Sequence, residues 1–307
     1  VITQIVETPV AATPDIAGLE PLTAIRSRWP GIIGTVLTVA MMIGLGRALL
    51  SKGIGGLIHV LPHSPLFYLF FVLLYMSLPI GDYVIFRRLW NIPPAGLVAL
   101  IRKRIANEVV LGYSGEAYFY AWARQRATMV AAPFGAVKDV SILSAIAGNT
   151  ITLGMTALAL PFGYGLLKPD EFNTLAWSTV IVIAMSLPFL IFSKRVFSLP
   201  RETLVWIFTI HILRLIAGSV LIALTWHFAM PDVSVGMWLL LSAGRMLAGR
   251  LPLVPNKDLL FANFAILLIG QGQELANLVA VTAALTLVVH VVVFCAFGLY
   301  DVLRNRR

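Results

Sequence analysis

Six stretches of the chain stay apolar for long enough to cross a lipid bilayer. They run over about 31–50, 64–86, 140–162, 175–193, 203–229 and 275–299. A spanning helix needs roughly 20 such residues. Two further apolar stretches are too broken for a simple crossing. Residues 94–126 are interrupted by Arg102, Lys103, Arg104, Glu108, Gly112, Gly115 and Glu116. Residues 235–270 are interrupted by Arg245, Arg250, Pro252, Pro255, Lys257 and Asp258. The pattern predicts an all-α polytopic membrane protein with about six full transmembrane helices and two incomplete ones.

The basic residues between the runs predict an orientation, because cytoplasmic loops carry the excess of Lys and Arg. Arg26 and Arg28 precede the first run, and Arg87 and Arg88 follow the second. Lys194, Arg195 and Arg201 separate the fourth from the fifth, and Arg304, Arg306 and Arg307 close the chain. Lys168 stands against Asp170 and Glu171 in the 163–174 loop, and the turn at 230–234 has only Asp232. Both termini are thereby expected in the cytoplasm, in a multi-pass cell-membrane protein of the bacterial inner-membrane kind. Arg47 and Lys52 run against the rule. Since six spans already account for the sidedness, each broken stretch is expected to be a re-entrant helical hairpin. The first enters from the cytoplasm and the second from the opposite face.

The two halves are expected to repeat. Adding 142 carries Glu116 to Asp258, Lys103 to Arg245 and the run at 31–50 to 173–192. Each half then holds three full spans, an odd number, so the second half starts on the other side and the repeat is inverted. The halves are 30–167 and 168–301, flanked by a polar tail over 1–29 and a basic tail over 302–307. The first residues contain Glu7, Pro9, Pro14, Asp15 and Glu20, which does not fit a signal peptide. Inverted repeats with broken helices are a recurrent transporter architecture, with the site near the midplane.

Composition narrows the class. Hydrophobic residues make up 59% of the 307 and charged residues 12%, about half the charge of an ordinary soluble domain. The formal charge of +9 is grouped between apolar runs, which points to anionic membrane lipids as partners and away from nucleic acid. Cys295 is the single cysteine, so no intrachain disulfide forms. Neither a metal-binding cluster nor a haem, quinone or pigment motif is seen, and no cofactor is expected.

The candidate substrate-binding residues are the ionisable groups within apolar surroundings, which are costly there unless paired or facing water. They are Glu108, Glu116, Arg214, Arg245, Arg250 and Asp258. Gly112 and Gly115 permit a tight turn, and Glu116 then falls in the first turn of the outgoing helix, where it also serves as a capping carboxylate. Glu108 and Arg250 are 142 apart and opposite in charge, so pairing across the repeat axis is one expectation. Arg214 suits a lipid phosphate and equally suits Glu108, Glu116 or Asp258. His211 and His290 are expected to bond to neighbouring helices.

Gly112-Tyr113-Ser114-Gly115-Glu116 and Arg250-Leu251-Pro252-Leu253-Val254-Pro255 carry a resemblance. The chain, over about 30–300, resembles the membrane part of the lysylphosphatidylglycerol synthetase family and related stand-alone membrane proteins. The resemblance implies a lipid-translocating, flippase-like fold with Glu116, Arg250 and Asp258 as site residues. It departs from the family at Asn256-Lys257-Asp258, where a Gly-Gly pair and a glutamate are usual. The soluble aminoacyl-transfer domain is absent from the sequence, so no aminoacylation is implied.

Three functions follow as expectations. The first is translocation of a lipid or lipid-linked precursor. The second is an accessory or scaffold subunit of a larger membrane complex, with protein partners. The third, and least favoured, is a membrane enzyme acting on lipid head groups, for which no clustered carboxylates or histidines are seen.

Overall fold

A computed structural model describes residues 61–110, 114–126, 133–163, 197–250 and 272–305, with single positions between 32 and 43 and between 177 and 184. The described residues form seven helices and no strand. In chain order they are α1 (Pro65–Trp90), α2 (Ala95–Val109), α3 (Ser114–Arg126), α4 (Pro133–Gly163), α5 (Arg201–Ala229), α6 (Val235–Arg250) and α7 (Gly272–Asn305). The all-α expectation holds for them.

Among the described residues, three helices are long and apolar enough to cross a membrane: Pro65–Trp90, Arg201–Ala229 and the Asn277–Leu299 part of α7. They coincide with the runs expected at 64–86, 203–229 and 275–299. α4 covers the run at 140–162 and starts several residues earlier. The runs at 31–50 and 175–193 lie outside the described residues except for single positions. Of these, Ile32, Val36, Val39 and Ile43, and Trp177, Val180 and Ile183, are helical and exposed. The boundary expected between the halves, at 167–168, is also outside.

The spans are apolar on the outside. Only 33% of the α1 window and 28% of the α5 and α7 windows is buried within the protein. On α1 the exposed Leu66, Leu69, Leu73, Ile80 and Val84 recur at intervals of three, four or seven, which is one helix face. In water such a surface would drive aggregation, and in a bilayer it meets its solvent.

Local chemistry sets the ends of α1. Pro65 at the first position starts it, since the missing N–H would be unpaired there anyway. Asn91 ends it in the left-handed region (φ 46°), donating its backbone N–H to the Arg87 carbonyl at 2.9 Å. Arg87 and Arg88 in the last turn favour the negative end of the helix dipole.

Cross-helix contacts give the directions. Phe70 stacks on Phe228, Asp82 reaches Arg214 and Arg88 lies over Trp206, so α1 and α5 run antiparallel. His211 and Arg214 meet Val140 and Ser144, so α4 runs with α5. Trp226 meets Trp238 and Ser219 meets Met246, so α6 runs against α5. Thr282 meets Trp226 and His290 meets Tyr75, so α7 runs with α1. α2 doubles back along α1 from its end, with Lys103 against Asp82 and Arg104 against Tyr75. α3 returns along α2.

Arg87, Arg88, Arg124, Lys138 and Arg201 consequently gather at one end of the bundle. The opposite end, at the starts of α1 and α7 and at 230–235, has Asp232 and Glu274 and no Lys or Arg among the described residues. The helix bounds also repeat. Adding 142 to the bounds of α2 gives 237 and 251, against Val235–Arg250 for α6. The same shift takes α4 to 275 and 305, against Gly272–Asn305 for α7, and α1 to 207 and 232, against Arg201–Ala229 for α5. Each helix and its counterpart run in opposite directions.

Two apolar cores tie the bundle together. One gathers Ile85, Phe86, Trp90, Leu100, Ile105, Phe119 and Ile207 near the basic end. The other gathers Phe67, Ile222, Trp226, Trp238, Leu241 and Leu278 near the opposite end. Along α5, Arg214 falls between Ile207 of the first and Ile222 of the second.

Candidate substrate cavity

The α2–α3 pair is closed tightly, and its closure aims Lys103 inward. Ser114 Oγ donates to the Ala106 carbonyl at 2.9 Å, and the Gly115 N–H donates to Asn107 Oδ1 at 2.7 Å. A Cβ at position 115 would collide with the Lys103 carbonyl oxygen, so the close approach of α3 to α2 requires glycine there.

Asp82, buried on α1, joins two cations. Its Oδ2 accepts from Lys103 Nζ at 2.7 Å and its Oδ1 from Arg214 Nη1 at 2.9 Å. Arg214 Nη2 donates to Ser144 Oγ at 3.0 Å, which brings α4 into the network. Lys103 Nζ also lies 3.4 Å from Glu116 Oε1. Three helices and the returning α3 are thus held by one set of ion pairs, each charge answered by another as burial demands.

A second chain of contacts runs beside the first. His290 Nε2 lies 2.7 Å from Glu108 Oε2, and Tyr75 Oη lies 2.7 Å from His290 Nδ1. A carboxylate only accepts, so Nε2 carries the proton and Nδ1 accepts from the tyrosine hydroxyl. Arg104 Nε donates to Glu108 Oε1 at 2.7 Å, and Arg104 Nη1 donates to the Tyr75 carbonyl. Pro79 lies inside α1. With no N–H it leaves the carbonyl four residues earlier, at Tyr75, without its helical donor. Arg104 supplies the missing one.

Between these networks is a cavity of about 220 Å³. Its walls include Asp82, Lys103, Glu116, Ser141, His211 and Arg214. His211 is fully buried, and its Nε2 donates to the Val140 carbonyl at 3.2 Å. Glu116 Oε2, Ser141 Oγ and His211 Nδ1 are buried and have no hydrogen-bond partner among the described residues.

Of the six expected site residues, Glu116 and Arg214 line this cavity. Glu116 is in the first turn of α3, as expected. Glu108 is near it, in the His290–Arg104 network. Among the described residues the partners of Glu108 are Arg104 and His290, and the expected partnership with Arg250 falls on a side chain outside them. Arg214 pairs with Asp82, a carboxylate not among the three considered for it, of which Asp258 lies outside the described residues. Arg245 is exposed on α6 and does not line the cavity. The Arg250 side chain and Asp258 lie outside the described residues, as do residues 111–113 and 251–271.

Asp82 is the residue that sequence reasoning passed over. Its signal was present: a lone carboxylate in the otherwise apolar run 64–86. Lys103 was seen as part of a basic cluster, without its inward role. Among the described residues, no group of three His, Cys, Asp or Glu side chains is placed to hold a metal ion. Comparison with protein-family models, curated proteins and solved structures gives no match.

Proposed function

We propose that this protein is a bacterial inner-membrane translocator of a lipid or lipid-linked precursor, with both termini cytoplasmic. The observation that carries the reading is the charged cavity where α1, α4 and α5 meet the α2–α3 pair. Ionisable side chains placed among apolar spans are kept where a polar group must be received. Six full spans, two re-entrant hairpins and an inverted repeat complete the proposal. Three features support it. α2 and α3 enter and leave at the basic end. α6 enters from the other end. The counterpart helices recur at a shift of 142 in opposite directions. The resemblance to the membrane part of the lysylphosphatidylglycerol synthetase family belongs to the same proposal.

The test is flipping of fluorescently labelled lipid in proteoliposomes. Lys103→Met and Arg214→Met, which break the ion pairs that hold the cavity walls, are expected to slow flipping at least tenfold. Val84→Ala, on the exposed face of α1, leaves it unchanged. Equal rates for all variants and for empty liposomes would sink the reading. One observation favours the accessory-subunit alternative: both cations around Asp82 are already paired, as in a purely structural network. A stoichiometric partner in mild detergent, with no flipping, would support it.

A further inference from the structure

The walls of the cavity balance in charge but not in hydrogen bonding. Asp82 and Glu116 are answered by Lys103 and Arg214. Arg104, which also borders the cavity, is answered by Glu108 and the Tyr75 carbonyl. The donors of Arg214 go to Asp82 and Ser144, and Lys103 goes to the two carboxylates. A bound anion would have to take a cation away from a buried carboxylate. A bound ammonium would add a charge that nothing in the cavity answers, which is costly in a low-dielectric interior.

What is left over is mostly acceptors. Glu116 Oε2 is a carboxylate oxygen and only accepts. Because His211 Nε2 donates to the Val140 carbonyl, Nδ1 of the neutral ring is an acceptor as well. Ser141 Oγ donates or accepts. Buried polar atoms without partners are rare, and three of them, on residues that line one cavity, ask for a ligand that brings donors. A volume of about 220 Å³ holds a small group, at ~30 Å³ for each water it would displace.

We infer that the cavity receives a neutral, hydroxyl-rich group, such as a glycosyl or glycerol head group, whose hydroxyls donate to Glu116 and His211 and exchange a hydrogen bond with Ser141. This deepens the translocation reading and rests on it for the role of the cavity, though the binding chemistry is testable without transport. The cations of the cavity then hold the walls and do not touch the ligand.

Calorimetry on the full chain, purified in a detergent without sugar, tests this with hexyl glucoside, glucose, inorganic phosphate and hexylammonium. The expected result is binding of hexyl glucoside, weakened about tenfold or more by Glu116→Ala and by Ser141→Ala. Ser141→Thr, which keeps the hydroxyl, retains binding and serves if the alanine variant does not fold. Glucose binding as tightly as the glucoside makes the free sugar the source. Glucoside binding alone makes it the lipid-borne group. Either supports the assignment. Preference for phosphate or hexylammonium, or no glucoside binding, overturns it. Flipping is read separately. Glucoside binding without flipping removes translocation and leaves the ligand assignment, and flipping without glucoside binding does the reverse.

Discussion

Gly81 makes room for Arg214. A Cβ at position 81 would lie 2.7 Å from Arg214 Cδ and 3.2 Å from its Cγ. The residue beside the carboxylate is thus as much a part of the Asp82–Arg214 pair as the charges are. Gly81→Ala is expected to push the arginine stem aside and weaken the pair, lowering stability by about 1–3 kcal/mol. Thermal unfolding in detergent measures it. An unchanged midpoint would mean that α1 and α5 separate freely to admit a methyl group.

Asp82 holds two cations, so its loss is felt twice. Asp82→Asn leaves Lys103 and Arg214 facing each other in a buried site and is expected to cost about 3–5 kcal/mol. Lys103→Met added to it removes one of the two and restores the charge balance between Arg214 and Glu116. The double variant is expected to be more stable than Asp82→Asn alone, and a double-mutant cycle gives the coupling. Strict additivity would show that the two side chains do not interact.

The spans and the α2–α3 pair were legible because an apolar run and its charged interruptions are both local signals. Arg102 to Glu116 broke the pattern of residues 94–126, and α3 packs on α2 through Ser114 and Gly115. The partners of the buried charges were less legible. Arg214 had three carboxylates to choose from within the apolar sequence, and spacing along the chain says nothing of which helix packs beside α5. The helix that does, α1, carried its carboxylate in a run whose apolarity made Asp82 easy to overlook.

Glu108 and His290 join α2 to α7, and Tyr75 joins both to α1. Glu108→Gln and His290→Ala are each expected to lower the unfolding midpoint. Their effects are expected to overlap rather than add, since either loss interrupts the same chain of hydrogen bonds. The unfolding midpoints of the two single variants and the double variant decide it, and full additivity would argue that the contact has no energetic weight.

The turn between α2 and α3 predicts a local effect. Asn107→Ala removes the acceptor for the Gly115 N–H and is expected to cost about 1 kcal/mol. Gly115→Ala, which collides with backbone, is expected to cost more and to open the pair. Limited proteolysis between Val109 and Ser114 reads the opening, with faster cleavage expected for Gly115→Ala than for Asn107→Ala.

Arg104→Met leaves the Tyr75 carbonyl without a donor and is expected to destabilise by about 1–3 kcal/mol. Pro79→Ala returns a backbone N–H to that carbonyl. The double variant is therefore expected to recover part of the loss, measured as a partial return of the unfolding midpoint. No recovery would place the role of Arg104 wholly in its pair with Glu108.

Pro79 of α1 and the donor that answers for it sit on different segments, and that makes Arg104 a latch. α2 cannot withdraw from α1 without baring a carbonyl to an apolar medium that offers no replacement. Any opening of the protein on that side must therefore be brief, or must hand the carbonyl a new donor such as an entering water. The wall of the cavity closes by default, whether or not anything is inside it.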